Sequence, residues 1–241
     1  FDFRKPVQVC GMLLETDEWE RVIAESQALY GRFRIALQLV DRGGAISEAK
    51  LADFRDLALG VAKHIKADTT VPDTRETYHR AVKLDAVCSD VDQMVGVNLV
   101  PGGDRLLTGE NVAQAAGTQG MTLEPDGAFH LLDAQAHSLF TLINRDTRPF
   151  QHHTLESFST PGITLLLDVP RVENPALHFD QMMRVAHELA RELQANVVDD
   201  HGVMFSDINL AGIRAQIAEV EDKMCGHGIM PGSAQARRLF S

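Results

Sequence analysis

Ten histidines and three cysteines are the residues of this sequence that could hold a metal or act as nucleophiles, and their spacing favours neither role. His152-His153, His178, His187 and His201 never fall into an HExxH arrangement, and Cys10, Cys88 and Cys225 show no CxxC spacing. His187 belongs to the polar side of a helical pattern, where a solvated histidine is the usual case. Cys10 and Cys88 sit in apolar patterns and read as small core residues. An odd number of distant cysteines fits reduced thiols better than disulfides. Asp199-Asp200 ends a strand and has the residue types of a general acid–base pair. GxSxG, GxGxxG and GxxxxGK are absent. The expectation is a protein without catalytic residues, metal or cofactor.

The elements that must position whatever does the work centre on residues 157–201. Pro161-Gly162 announces a strand in which Ile163, Leu165, Leu167 and Val169 alternate with Thr164, Leu166 and Asp168, and Pro170 stops it. Phe179, Met182, Met183, Ala186, Leu189, Ala190 and Leu193 then recur at helical spacing. Arg184, His187, Glu188, Arg191 and Glu192 take the other side. Asn196-Val197-Val198 is a short strand before Asp199-Asp200. This strand–helix–strand unit can bury one face of a sheet beneath one helix.

The earlier chain offers a strand at Val7 to Leu13, no clear element from Trp19 to Leu29, and an alternating strand at Arg34 to Val40. Ser47 can cap a helix through Leu51, Phe54, Ala58, Val61 and Ile65. Ala67 to Val71 reads as a strand, and a second helix starts near Thr74. One constant shift carries Ile35, Leu37 and Leu39 onto Ile163, Leu165 and Leu167, Ala58 onto Ala186, and Ala62 onto Ala190. Residues 1–91 therefore read as a degenerate half-repeat of the later unit. Met94 to Val100 alternates again, Thr108 can cap a helix ended by Gly117, and Thr122 to Glu124 is a brief strand. Pro125-Asp126-Gly127 is a turn before a hairpin of Phe129 to Leu132 and Ser138 to Ile143. Residues 227–241, rich in Gly, Pro and Ser, read as a flexible tail. The expected domains are 1–91, 92–226 and that tail.

An antiparallel sheet covered by helices on one side leaves its other side to solvent or a partner. Ile163, Leu165, Leu167, Phe140, Leu142, Val95, Val97 and Leu99 form the helix-facing set. Met94, Gly96, Asn98, Thr141, Ile143, Arg145, Thr164, Leu166 and Asp168 face the other way. Leu166, Ile143 and Met94 are then apolar residues with no helix above them, a candidate patch. The formal net charge of −11 argues against a nucleic-acid groove or an anionic membrane surface. Nothing approaches the apolar length of a spanning helix. The sequence begins at Phe1 without a methionine, which points to a removed N-terminal segment.

The order FSTPG-strand-VP (from Phe158), amphipathic helix, then VVDD (Val197 to Asp200) and a last helix resembles the ZipA C-terminal, FtsZ-binding domain family. The likeness also takes in MVGVNLV (Met94 to Val100), LLTGENVAQAAG (Leu106 to Gly117), FHLLD and SLFTLIN. The resemblance implies an α+β fold: an antiparallel split β-α-β sheet with helices packed on one face, here with a partial internal duplication. It implies a non-enzymatic bacterial cell-division adaptor that grips the C-terminal tail of FtsZ on the open sheet face. Met94, Gly96, Asn98, Ile143, Arg145, Thr164 and Leu166 align with the family's peptide-binding positions. Gly96 and Arg145 depart from the pattern, standing where larger apolar side chains are expected. The resemblance further implies a place at the cytoplasmic face of the inner membrane, with a membrane helix outside this sequence. A ferredoxin-like regulatory domain, holding a small molecule between the two repeats, is the alternative reading.

Overall fold

In the computed structural model, which describes residues 3–146 and 148–241, the chain groups into two units, Phe1–Asp90 with Arg238–Ser241 and Val91–Arg237. The first unit opens with β1 (Val7–Leu13), β2 (Trp19–Arg21) and β3 (Tyr30–Leu37), an antiparallel sheet ordered β2-β1-β3. A hairpin of β4 (Val40–Asp41) and β5 (Gly44–Ala45) leads to α1 (Glu48–Ile65) and α2 (Thr74–Val91). The Ser47 hydroxyl caps α1 by accepting from the Lys50 N–H at 3.3 Å, as its position before the helical pattern predicts.

The second unit is built from β6 (Met94–Pro101), β7 (Leu107–Thr108), α3 (Gly109–Thr118), β8 (Thr122–Leu123), β9 (Phe129–Leu132) and β10 (Ser138–Asn144). It continues with β11 (Ser159–Thr160), β12 (Ile163–Asp168), α4 (Pro175–Leu193), β13 (Ala195–Val198) and α5 (Asp207–Gly226), and α6 (Ala234–Leu239) closes the chain. Six strands form one antiparallel sheet in the order β13-β6-β12-β10-β9-β8. β12 and β13 flank β6 and run parallel to each other, so β12-α4-β13 is a split β-α-β unit.

Burial follows the alternation. Val95, Val97, Leu99, Phe140, Leu142, Ile163, Leu165 and Leu167 are all buried, as are Phe179, Met182, Met183, Ala186, Leu189, Ala190 and Leu193 of α4. Each fully buried side chain of that size contributes about 1.5–3 kcal/mol in transfer terms. α4 lies against β6, β10, β12 and β13, while α3 and α5 pack beside it, so the helical layer covers one side of the sheet. The FSTPG run is the joint of this core. Phe158 packs at 5.1 Å from the Phe150 ring, and the buried Thr160 hydroxyl donates to Asn144 Oδ1 at 2.5 Å and accepts from the Gly162 N–H at 3.2 Å. A Cβ on Gly162 would come within 2.9 Å of Leu99 O, which is why glycine stands there.

Two readings of the sequence need correction. Ala67 to Val71 forms no strand. Lys66 closes α1 in the left-handed conformation (φ 54°), the Ala67 N–H turns back to Ala62 O, and residues 67–70 are exposed with nothing paired beside them. Thr69, Thr70 and Val71 have strand-forming side chains, but a strand exists only by pairing. Strand, helix and helix keep the expected order in the first unit, and the second strand of the expected half-repeat does not form between α1 and α2. Residues 227–241 are also not a loose tail. Gly228 and Gly232 take positive φ (72° and 70°) and make tight turns, the Gly232 N–H donates to Pro170 O at 3.0 Å, and Ile229, Pro231, Ala236, Leu239 and Phe240 are buried. Gly and Pro here encode turns.

Candidate functional site

Directly paired residues on neighbouring strands point to the same side of a sheet. Asn98 pairs with Thr164, which pairs with Ile143; Gly96 pairs with Leu166, which pairs with Thr141; Met94 pairs with Asp168. The Arg145 N–H donates to Gly162 O at 3.1 Å, which extends the same face one row further. Met94, Gly96, Asn98, Ile143, Arg145, Thr164 and Leu166 therefore share one face of three adjacent central strands, opposite the helical layer. Met94 is 52% exposed, Arg145 is exposed, and Ile143, Leu166 and Gly96 are half-buried.

The centre of the face is more polar and more closed than alternation alone suggests. Asn98 and Thr164 are only 4% and 9% exposed. The Thr164 hydroxyl donates to Asn98 Oδ1 at 2.7 Å, and Asn98 Nδ2 donates to the Asp200 carboxylate at 2.9 Å. This chain of hydrogen bonds ties β12 to β6 and β6 to the loop after β13. Asp200 is thus a member of the face that the sequence did not assign to it. The only signal was its place one residue beyond the last turn-forming carboxylate. Asp199 does hold the loop, accepting from the N–H groups of His201 (2.9 Å) and Val203 (2.8 Å).

Around this centre lie an apolar step, a gap and a cation. Gly96 leaves the gap: a Cβ there would meet Leu166 Cδ2 at 3.5 Å and Thr164 Cγ2 at 3.8 Å, ordinary contact distances, so the space admits a Cβ without a clash. The Arg145 guanidinium has no ion-pair partner among the described residues. Its neighbour Asp146 is committed to Arg148, whose hydrogen bonds hold the Asp146 carboxyl below the usual carboxylate range. Further along, on the row of Thr141, His130 bridges Ser138 Oγ (3.0 Å) and Asp126 (2.9 Å). These residue types could relay a proton, but they sit at the bulge between Ser138 and Phe140 and brace the hairpin against its turn. Among the described residues no three His, Cys, Asp or Glu side chains group as a metal site, and no helix is long and apolar enough to cross a membrane.

An antiparallel sheet backed on one side by helices, with an apolar and polar patch on the other side of its central strands, defines an α+β domain. The chain belongs to the ZipA, C-terminal FtsZ-binding domain family, whose description matches residues 93–216. It is similar to the cell division protein ZipA of Ectopseudomonas mendocina (strain ymp), 26% identical over 156 residues that cover 63% of this chain and 57% of that protein. It is similar also to the cell division proteins ZipA of Vibrio campbellii and Vibrio vulnificus. Each is 26% identical over 131 residues, 53% of this chain, and the match covers 41% and 42% of those proteins. The chain spans about half the length of the curated relatives it matches.

Proposed function

We propose that this chain is a non-enzymatic division adaptor that binds the C-terminal tail of FtsZ on the face formed by β6, β12 and β10. The observation that carries the reading is the coincidence of the family match with the sheet whose side opposite α4 presents Met94, Ile143 and Leu166. A tail peptide laid over these residues buries its apolar side chains against them, while Asn98, Thr164 and Asp200, already bonded to one another, give the floor a fixed shape. Tethering of the division ring to the inner membrane is assigned to the whole protein rather than to this sheet.

The test is titration of the chain with a synthetic FtsZ tail peptide, read by calorimetry and by amide shifts. Saturable binding with shifts concentrated in β6, β10 and β12 is expected; shifts confined to other strands would move the site. Gly96→Val is the informative variant. Its Cβ has room, and replacing a strand glycine removes a conformational entropy cost of roughly 0.5–1 kcal/mol, so the melting point should hold or rise. Added apolar area in the gap should raise tail affinity by about three- to tenfold, at roughly 0.8 kcal/mol per buried methylene. A variant equally stable but weaker in binding would mean that the gap itself receives a peptide side chain.

A further inference from the structure

The sheet of the first unit lies outside the matched residues 93–216 and has its own chemistry. Register places Arg21, Cys10 and Arg34 in one row, and Trp19, Met12 and Arg32 in the next row of the same face. Arg34 stacks over Trp19 at 4.2 Å from the ring centroid. All three arginines are exposed, and among the described residues none has a carboxylate within ion-pairing distance. Glu20 cannot serve, because it pairs across Gly11 on the opposite face, where it accepts from the Tyr30 hydroxyl at 2.6 Å. Like charges held side by side repel, and an anionic partner relieves that repulsion.

β3 is also an edge. In the order β2-β1-β3 no strand pairs with its outer side among the described residues. It is eight residues long and contains no proline, so no backbone donor is missing along it, and its arginines oppose only a neighbour of like charge. Its side chains alternate between Arg32 and Arg34 on one face and Phe33, Ile35 and Leu37 on the other, with Phe33 46% exposed. A second copy pairing here would set arginine against arginine, so self-addition is opposed. A nucleic acid or an anionic membrane would meet Glu15, Asp17 and Glu18 in the exposed turn between β1 and β2, and would leave the backbone edge unused.

We propose that the outer edge of β3 is a docking strand for a partner protein. The occupant is an extended segment in which acidic residues alternate with apolar ones. It adds as a fourth strand, its carboxylates meeting Arg32 and Arg34 and its apolar side chains meeting Phe33 and Ile35.

The probe is a fluorescein-labelled peptide of alternating Glu and Val, followed by anisotropy against the full chain. Saturable binding that weakens with salt is expected. Arg32→Ala/Arg34→Ala, with an unchanged circular dichroism spectrum, should lose affinity by about tenfold or more. Two further peptides, N-methylated at only the Glu or only the Val positions, should differ sharply, because only one set of N–H groups faces β3. The proposal is overturned if a Lys/Val peptide binds as well, if both N-methylated peptides bind alike, or if the double variant binds normally. It is equally overturned if no saturable binding occurs up to millimolar peptide, or if a single-stranded oligonucleotide or phosphatidylserine vesicles bind the chain in preference to the peptide.

Discussion

Leu165→Asp is expected to abolish the cooperative melt of the second unit, while Leu166→Asp, one residue further along β12, leaves it folded and removes tail binding. Leu165 is fully buried, paired with Val97 on one side and Leu142 on the other, beneath α4. A carboxylate there loses its hydration and finds no partner, a cost of several kcal/mol against a typical total stability of about 5–15 kcal/mol. Leu166 points the other way, between Gly96 and Thr141, and is half-buried. Its carboxylate replacement stays hydrated, so the melting point should fall by only a few degrees, on the order of 1 kcal/mol at about 2–4 °C per kcal/mol for a unit of this size. In the proposed complex the same carboxylate faces the apolar side of the FtsZ tail, and affinity should drop by about tenfold or more. The measurement is a pair of thermal melts, with a peptide titration of each variant that remains folded. Should Leu166→Asp destabilise as severely as Leu165→Asp, the face is not open to a peptide and the proposed site has to be given up.

The difference between these neighbours was legible in the sequence because a period of two has only one phase once a helix must be covered. The same holds for Val95, Val97 and Leu99 against Met94, Gly96 and Asn98, and for the buried stripe of α4. Local pattern could not say which strands pair. Val7 to Leu13 was visible as a strand, and the strand expected at Arg34 to Val40 overlaps β3 only as far as Leu37, with Val40 in β4. The assembly of β1 and β3 into a separate three-stranded sheet depends on β2, whose three residues are too few to show a period. Ala67 to Val71 misled for the complementary reason, since β-branched residues create strand propensity without supplying a neighbour. Residues 227–241 misled through composition: positive φ at Gly228 and Gly232 is how that segment turns back to bury Ile229 and Pro231. At the candidate site, alternation put Asn98 and Thr164 on the right face but presented them as solvent-facing polar groups. Their mutual bond depends on cross-strand register and on the position of the loop at Asp200, neither of which is a local property.

That bond should be measurable as a coupling. Thr164 donates to Asn98 Oδ1 and Asn98 donates to Asp200, with Asn98 and Thr164 both buried. Asn98→Ala leaves the Thr164 hydroxyl buried without its acceptor and frees the loop after β13, and the unmet hydroxyl alone costs about 1–3 kcal/mol. Thr164→Val keeps the side-chain shape but leaves Asn98 Oδ1 without a donor, a loss of similar size. With both changes made, neither polar partner remains to be stranded, so the double variant should be more stable than the sum of the single losses predicts. A coupling of about 1 kcal/mol or more in a double-mutant cycle is expected from urea unfolding of the four proteins. Asp200→Ala separates the two halves of the chain of bonds. Asp200 is itself exposed, but its removal leaves the buried Asn98 Nδ2 without its acceptor, so it should cost about 1–3 kcal/mol, loosen the loop after β13 and raise amide exchange from His201 to Met204. Additive losses at Asn98 and Thr164 would show that burial of the two side chains, and not the bond between them, stabilises the centre of the face. The floor beneath a bound tail would then be set by packing alone, and Thr164→Val should bind the FtsZ peptide as tightly as the unaltered chain.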